Sequence, residues 1–511
     1  MATQWDDGYV SDIEYIPGYY KEQSPSHIET ICLANGIESP VNDGENFTYC
    51  ELGCGLGETS LITAATAPHS QIYAFDFNPA HIAGARKLAQ KCGINNIYFG
   101  EYSFKQLAEG DVPANMPLFD YITLHGIWTW INPENRAYIV RFLSRYLKPS
   151  GIVYVSYNAL PAYSSIIPMR NLFFMLANEE NGPTDKRAQK AIEKIQNMLQ
   201  DGALHLPENT KERLSQNPSY LSHEYLNASW DPTFHNQVAH DFSEAKLSYF
   251  GSAVLLENYP DYMYKPEQKE HIKAASPQTV ETLSDYFMNR FFRKDLFIRG
   301  IRRYPFSIAT QRINDINLRL CVPAEQFNYS LITPLGQINL LKEYYKPIVD
   351  ALDKNGEMRI KDLLNIKELQ DKEISPFDIC AVMLGSNQAI RVLPKQCQTD
   401  IQYIKKINKI LVETNVGYLR NKAALVCAIT GQAIYIQDYE LFAYHALSQG
   451  CPETVDSLID SVINILKEIN SNVMQNGQVV TDEAIKREII KQNIEYIINK
   501  SIPLWKSLGA Y

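Results

Sequence analysis

Residues 47–57 read FTYCELGCGLG, and this stretch decides how the rest of the chain is read. The apolar run from Phe47 to Leu52 has the length of a buried strand, and it breaks into glycines at 53, 55 and 57. Glu58-Thr59 and the run SLITAAT then start a helix. Glycines at a strand-to-helix turn let the backbone approach a ligand closely, and the first helical turn offers N–H groups without partners. A dinucleotide fingerprint would space its glycines GxGxxG and seat a pyrophosphate. Here an acid, Glu51, stands two residues before Gly53 and the glycines alternate. An ordinary Gly-rich loop is the competing reading of these eleven residues alone.

The next stretch weakens that competitor. QIYAFDF at 71–77 alternates and carries Asp76 near its end, and Asn78-Pro79 then caps a helix with Ile82, Ala85 and Ala89 on one face. An acid at the end of a second strand suits a ribose diol, because one carboxylate accepts from two hydroxyls. Asp76 follows Glu51 by about 25 residues, near the spacing expected of such an acid. Together the two strands point to a nucleoside-type cofactor.

Three more strand-like segments follow. NNIYF at 95–99 leads to Gly100-Glu101-Tyr102-Ser103-Phe104, where a polar group and a ring could hold a purine. FDYITLH at 119–125 runs into Gly126-Ile127-Trp128, a helix spans 133–147, and GIVYVSYNAL begins at 151. Strand and helix alternating at this rhythm predict a parallel, doubly wound α/β sheet with ligands at the carboxyl ends of its strands. The glycine loop, Asp76, Glu101, His125 and Asn158 all fall at such ends.

With 511 residues and 45% hydrophobic content the chain can bury a large core and form several domains. Its net charge of −10 argues against a nucleic-acid partner, which needs a basic face, and leaves room for lysine-bearing proteins. The nine cysteines include no CxxC pair, so reduced thiols are expected and no metal site. The acidic start MATQWDDGYVSDIEY has no apolar core for a signal peptide, and no stretch nears the roughly 20 apolar residues of a membrane helix. A cytoplasmic protein without membrane insertion is the expectation.

Before the sheet, the Tyr-rich segment 9–23 precedes a helix that Ser24-Pro25 opens and Gly36 stops; Tyr15, Tyr19 and Tyr20 are candidates to close over the cofactor. After it, residues 164–222 read as helices only, and the middle one carries Ala188, Ala191, Ile192, Ile195 and Leu199 on one face. This is a helical insertion serving as lid or dimer contact, or else a plain packed hairpin. Asp231-Pro232 is expected to cap a helix with Phe234, Val238, Phe242 and Ala245 inward, with LSYFGSAV as a sixth strand and RFFRKDLFIRGI as the last. KPIVDALDKNGEMRIKDLL (346–364) and SPFDICAVMLGSNQAIRVLP (375–394) have the helix, helix, helix, strand order of a winged helix. Its recognition helix carries no Lys or Arg, which favours an interaction role over DNA binding.

With these blocks placed, the chain resembles one family. Its acid-x-Gly-x-Gly-x-Gly loop resembles motif I of class I S-adenosylmethionine (SAM) methyltransferases. YIPGYYKEQSPSHIETICLANGI, YAFDFNPAHI, LHGIWTWI and VSYNALP resemble the bacterial methyltransferases that carry a methyltransferase regulatory domain. HEYLN…W…F at 223–250 and TVETLSDYFMNRFFRKDLFIRG at 279–300 resemble that regulatory domain itself. Similar members are the rickettsial protein lysine methyltransferases that act on outer membrane protein B.

The resemblance implies a class I SAM-methyltransferase (Rossmann-like) domain over 1–163 and a helical insertion, lid or dimerisation segment over 164–222. A regulatory region over 223–335 would partly complete the sheet; the residue pattern, rather than the resemblance, gives 336–511 as an α-rich, winged-helix-like domain. SAM is the implied cofactor, with S-adenosylhomocysteine as product and no metal. The implied partners are a lysine-bearing protein substrate, of the outer membrane or surface kind, and a second copy in a homodimer. Tyr19, Glu51, Gly53, Cys54, Gly55, Asp76, Phe77, Asn78, Glu101, Ser103, Phe104, His125 and Gly126 are the expected cofactor-binding residues. Trp128, Tyr157 and Asn158 are the expected catalytic ones, with Trp130, Tyr163, Tyr225, Asn227 and Trp230 as further candidates around the acceptor. A DNA or glutamine-amide methyltransferase would show an Asn/Asp-Pro-Pro-Tyr-like run where this chain has His125-Gly126-Ile127-Trp128. A protein lysine methyltransferase, a small-molecule methyltransferase and a SAM-binding interaction protein without catalysis stay open.

Overall fold

The computed structural model describes residues 8–13, 18–42, 44–417, 423–475 and 478–511, so Tyr15 lies outside the described residues. Seven strands form the central sheet: β1 Thr48–Leu52, β2 Gln71–Asp76, β3 Ile97–Glu101, β4 Phe119–Leu124, β5 Leu147–Asn158, β6 Leu247–Ser252 and β7 Phe292–Arg299. Their order is β3-β2-β1-β4-β5-β7-β6, with β1 to β5 parallel and β7 antiparallel to both its neighbours. The sheet needs the two late strands because β5 would otherwise leave its backbone N–H and C=O groups unpaired at an edge.

Side-chain alternation sends successive residues to opposite faces. On one face Tyr49, Ile72, Ala74, Ile152 and Tyr154 pack under the helices α1 Pro25–Ala34, α2 Glu58–Thr66 and α3 Pro79–Cys92. On the other, Cys50, Phe75, Val153, Val155 and Tyr157 meet α4 Phe104–Glu109 and α5 Pro133–Tyr146. All six residues of β4 are buried, as a strand covered on both faces requires.

The insertion contains α6 Ile167–Asn178, α7 Thr184–Gln200, α8 Glu208–Arg213 and α9 Pro218–Tyr225. The stripe of α7 is spent inside the chain: Ala188, Ala191 and Ile195 are fully buried and share a core with Phe173, Ala177, Leu221 and Tyr225. It is therefore no free contact surface, which removes the sequence motive for a dimer there. The following helix, α10 His235–Ser243, starts later than expected. Asp231 does not cap it but accepts from Arg136 Nη1 at 2.9 Å, while Gln237 Oε1 takes the Phe234 N–H.

Beyond residue 316, Asn317–Leu320 pairs antiparallel with Glu357–Arg359 on one side and Ala389–Val392 on the other. The expected helix, helix, helix, strand order thus contains one more strand, at 357–359 between the first two helices. Three residues are too few for a periodic signal. A separate core, drawn from described residues between 390 and 510, gathers around Trp505, Ile494, Leu441 and Val462.

Strand β7 is tied in by charge as well as by its ladder. Arg293 is fully buried, and its guanidinium reaches Asp285 at 2.7 Å, Asp295 at 2.9 Å and Glu281 at 2.9 Å. Removing one member of such a buried set strands the others without a counter-charge. Arg293→Met should therefore lower the unfolding free energy by about 3–5 kcal/mol, read as a shift in the urea midpoint. An unchanged midpoint would show that the network contributes nothing to holding β7.

Candidate functional site

The carboxyl ends of β1 to β4 open onto a cavity of about 360 Å³. The loop after β1 forms its floor. Gly53, Gly55 and Gly57 have φ of 69°, 53° and 74°, in the left-handed region that favours glycine. A Cβ on Gly53 would stand 2.2 Å from Ile127 Cδ1, and one on Gly57 2.4 Å from Phe99 Cε1. The loop packs this closely only because no side chain is there.

Of the expected cofactor-binding residues, Glu51, Gly53, Cys54, Gly55, Asp76, Phe77, Glu101, Ser103, Phe104, His125 and Gly126 line the cavity. Asp76 Oδ2 accepts from the Gly55 N–H at 2.9 Å, while Oδ1 accepts from the Asn78 N–H at 2.9 Å and lies 3.2 Å from His81 Nδ1. Three of its roughly four acceptor positions are in use, which leaves one for a further donor. Ser103 is fixed by a capping box with Gln106, which aims the first turn of α4 at the cavity. His125 Nδ1 is hydrogen-bonded to the Tyr154 hydroxyl at 2.8 Å, and its ring stacks on Tyr20 at 3.7 Å between centroids. Glu51 is buried under the loop and accepts from the Ser60 hydroxyl. Burial, with the Asp76 carboxylate adding a smaller push, raises it to about 7.

Two of the expected residues lie elsewhere. Asn78 caps α3 by accepting from the Ala80 N–H at 2.9 Å and does not reach the cavity. Tyr19 is buried, and its hydroxyl accepts from the Ala433 N–H at 3.2 Å; its neighbour Tyr20 lines the cavity instead. In an irregular segment, no periodicity tells which of two adjacent tyrosines faces the ligand.

None of the three expected catalytic residues lines the cavity, and neither do Tyr163, Glu224, Tyr225 or Trp230. Trp128 is fully buried, edge-on to Phe242 at 5.1 Å and under the Arg136 guanidinium at 5.4 Å. Tyr157 is fully buried and donates to Asp295 at 2.5 Å within the Arg293 network. Asn158 donates from Nδ2 to Glu224 Oε1 at 2.9 Å. Being at a strand end sets a residue's height in the sheet, whereas alternation decides the face, and Tyr157 takes the α5 face.

Asn158 nevertheless leads to a cluster that the sequence did not single out. Glu224 is buried, and its Oε1 accepts from Asn158 and from the Tyr163 hydroxyl at 3.4 Å. Burial pushes its carboxyl up to about 7. Tyr163 and Tyr225 stand edge-on to Trp230, at 5.8 and 5.9 Å. The Arg213 guanidinium lies 5.2 Å over both Tyr163 and Phe291 and donates to the Tyr225 hydroxyl at 3.2 Å. Trp130, which lines the cavity, donates from Nε1 to the Glu224 carbonyl at 3.0 Å, so the cluster stands directly behind the cavity wall. Tyr9 is a further lining residue, edge-on to Phe77 at 5.8 Å. Asn227 is structural: its Oδ1 accepts from the Val10 N–H at 2.8 Å and pins the N-terminal segment. Among the described residues no group of three or more His, Cys, Asp or Glu side chains could hold a metal ion, and none of their helices is long and apolar enough to cross a membrane.

Residues 43–203 match a methyltransferase domain family, and 217–299 match the family described as a predicted methyltransferase regulatory domain. The chain is 31% identical to the uncharacterized protein sll1526 of Synechocystis sp., with 99% of each chain covered. It is 25% identical to the uncharacterized protein RP789 of Rickettsia prowazekii over 66% of this chain and 60% of that one. Among solved structures, PKMT2 from Rickettsia typhi in complex with AdoHcy superposes with a TM-score of 0.65 at 19% identity, covering 95% of this chain and 99% of that one. The cavity fits SAM on its own geometry: a side-chain-free glycine cradle, an acid at the end of β2 and a ring-and-hydroxyl wall after β3.

The Glu51 shift has a testable sign. Below its ordinary value of 4.5 the carboxyl is protonated in folded and unfolded chains alike and costs nothing. As pH rises, the unfolded chain ionises first, so the penalty on the folded state grows until about pH 7 and then stays level. Glu51→Gln should match the wild type in thermal stability at pH 4 and exceed it by about 3 kcal/mol at pH 8. A difference that does not change with pH would place the carboxylate in a solvated position.

Proposed function

This chain belongs to the SAM-dependent methyltransferases that carry a methyltransferase regulatory domain, and from that premise we propose that it methylates lysine side chains of a protein substrate. The observation that carries the reading is the cluster of rings and one buried carboxylate behind the cofactor cavity. When bound, SAM supplies an electrophilic methyl group on a sulfonium. The chain's own residues do the rest. Asp76 would hold the ribose, Phe104 and Ser103 the purine, and Glu51 the amino group. Trp130 in the cavity wall, backed by Tyr163, Tyr225 and Trp230, would hold an alkylammonium beside the cofactor.

A lysine has a reference pKa of about 10.4, so it must lose a proton before it can attack. Desolvation at the site lowers that value, and Glu224, at about 7, is poised to hold the released proton on its carboxylate. The acceptor residues proposed here are thus Glu224 and the rings around it, with Asn158 orienting the carboxylate. Trp128 and Tyr157 support from the core. The finer substrate class, an outer membrane or surface protein, rests on the resemblance to the rickettsial lysine methyltransferases, as does a homodimer. Such a dimer would need a surface other than the stripe of α7.

Isotopically labelled SAM offered with a lysine-rich surface protein should place methyls on lysine side chains, read by peptide mass spectrometry. Transfer only to metabolites, or to Arg or Gln side chains, would overturn the proposal. Glu224→Gln should reduce kcat by about 10²-fold and flatten the rise in rate around pH 7, with cofactor binding retained. Wild-type turnover in that variant would remove Glu224 from the acceptor site.

A further inference from the structure

A second cavity, of about 350 Å³, borders the residue that follows Tyr20. Its walls come from distant parts of the chain: Lys21 and His27, then Asn387 and Arg391, then Tyr435 and Trp505. Most of its charges are already answered. Arg391 pairs with Glu29 at 3.2 Å, and Lys500 pairs with Glu325. Glu440 accepts from the Ser501 hydroxyl at 2.6 Å and from the Gln437 N–H at 2.8 Å.

Lys21 is different. Its ammonium donates to the side-chain oxygen of Asn387, and among the described residues no carboxylate lies within the 4.0 Å of an ion pair. Burial holds its pKa below the ordinary lysine value. His27 adds no second charge, since burial, followed by the Lys21 ammonium, pushes its imidazole down to about 4. The ammonium is half-buried and held by a neutral amide, with Glu22 acting on it only from beyond ion-pair distance, so an anion delivered to it gains a favourable contact. Ile390, Ile434, Leu504 and Trp505 give the wall an apolar stretch among its polar residues. A cavity of this size, with Lys21 at one side and an apolar stretch beside it, suits a small molecule better than a polypeptide.

The same turn touches both cavities. Tyr20 stacks on His125 in the cofactor wall, Lys21 faces the second cavity, and Glu22 pairs with Lys294 of β7 at 2.6 Å. The Tyr435 hydroxyl, in the second cavity's wall, donates to the Tyr19 carbonyl at 3.0 Å. A ligand seated on Lys21 therefore fixes the segment that carries Tyr20.

We propose that this cavity is a binding site for a small organic anion, with a carboxylate or phosphate head on Lys21 and an apolar body against Leu504 and Trp505, and that its occupancy strengthens cofactor binding through the 19–22 turn. Calorimetry on the full chain with benzoate and with phenyl phosphate separates the two head groups, and neutral benzamide serves as the control. At least one of the anions should bind, benzamide should not, and Lys21→Met should weaken the binding at least tenfold. Leu504→Trp, which fills the cavity from the opposite wall and leaves Lys21 in place, should abolish it, while Asp76→Ala should leave it intact. In the wild type, but not in Lys21→Met, the bound anion should tighten S-adenosylhomocysteine at least about fivefold. No heat with either anion, equal binding of benzamide, or unchanged binding in both cavity variants overturns the site. Unchanged S-adenosylhomocysteine affinity overturns the coupling.

Discussion

The close approach of the glycine loop to its neighbours is the constraint on which the site depends. With Ile127 seated over Gly53 and Phe99 over Gly57, the turn after β1 lies flat against the ends of β3 and β4. That contact leaves the strand ends open as a cavity and brings the Gly55 N–H onto Asp76. A methyl group at either position would push the loop away from the sheet and break the hydrogen bond that aims the β2 acid. The helix that follows begins at Glu58, directly after the last left-handed glycine, so its first-turn N–H groups also face the cavity.

Much of this was legible in the sequence because the signals are local. Alternation in QIYAFDF and the apolar run before Gly53 identify strands, and the order of strand and helix leaves few ways to wind a parallel sheet. The expectation that LSYFGSAV and RFFRKDLFIRGI complete the sheet rests on the same logic, and both strands lie in it. What the sequence could not carry is facing. Tyr19 and Tyr20 are adjacent in an irregular segment, and Trp128 sits in a short turn where no period applies. Tyr157 was placed by its strand end when its parity mattered more. Glu224 was invisible for another reason: its importance lies in burial and in partners 61 and 66 positions away in the chain, none of which a local reading can supply.

Three buried carboxylates show how the fold separates support from chemistry. Asp295 has no exposed surface, yet its carboxyl is held far below the usual range because Arg293 and His235 stand beside it. Glu51 and Glu224 are buried nearly as deeply but have hydroxyl and amide donors in place of a close cation, and both rise to about 7. Neutral donors recover only part of the desolvation cost at Glu51 and Glu224. At Asp295, Arg293, His235 and Tyr157 together overcome it, while burial still raises Asp285, between Arg293 and Arg290, to about 6. The compensated acid anchors β7, and the two uncompensated ones face or adjoin the cavity. Perturbed groups gather at functional sites for this reason.

The C-terminal region, generic in sequence, is bound into this arrangement where the N-terminal segment crosses it. Ala433 and Tyr435 hold the Tyr19 side chain and carbonyl, and the Gly431 carbonyl accepts from the Ser24 hydroxyl at 3.1 Å. Asn415 reaches Glu58, at the start of the cofactor-facing helix, at 3.5 Å. The segment 18–24 is thus clamped from behind by residues some four hundred positions later, while its Tyr20 ring closes the cofactor wall in front. Any force that shifts the C-terminal region relative to the sheet must act on that ring. A large appendage that merely enlarged the surface would have no reason to spend its buried hydrogen bonds there.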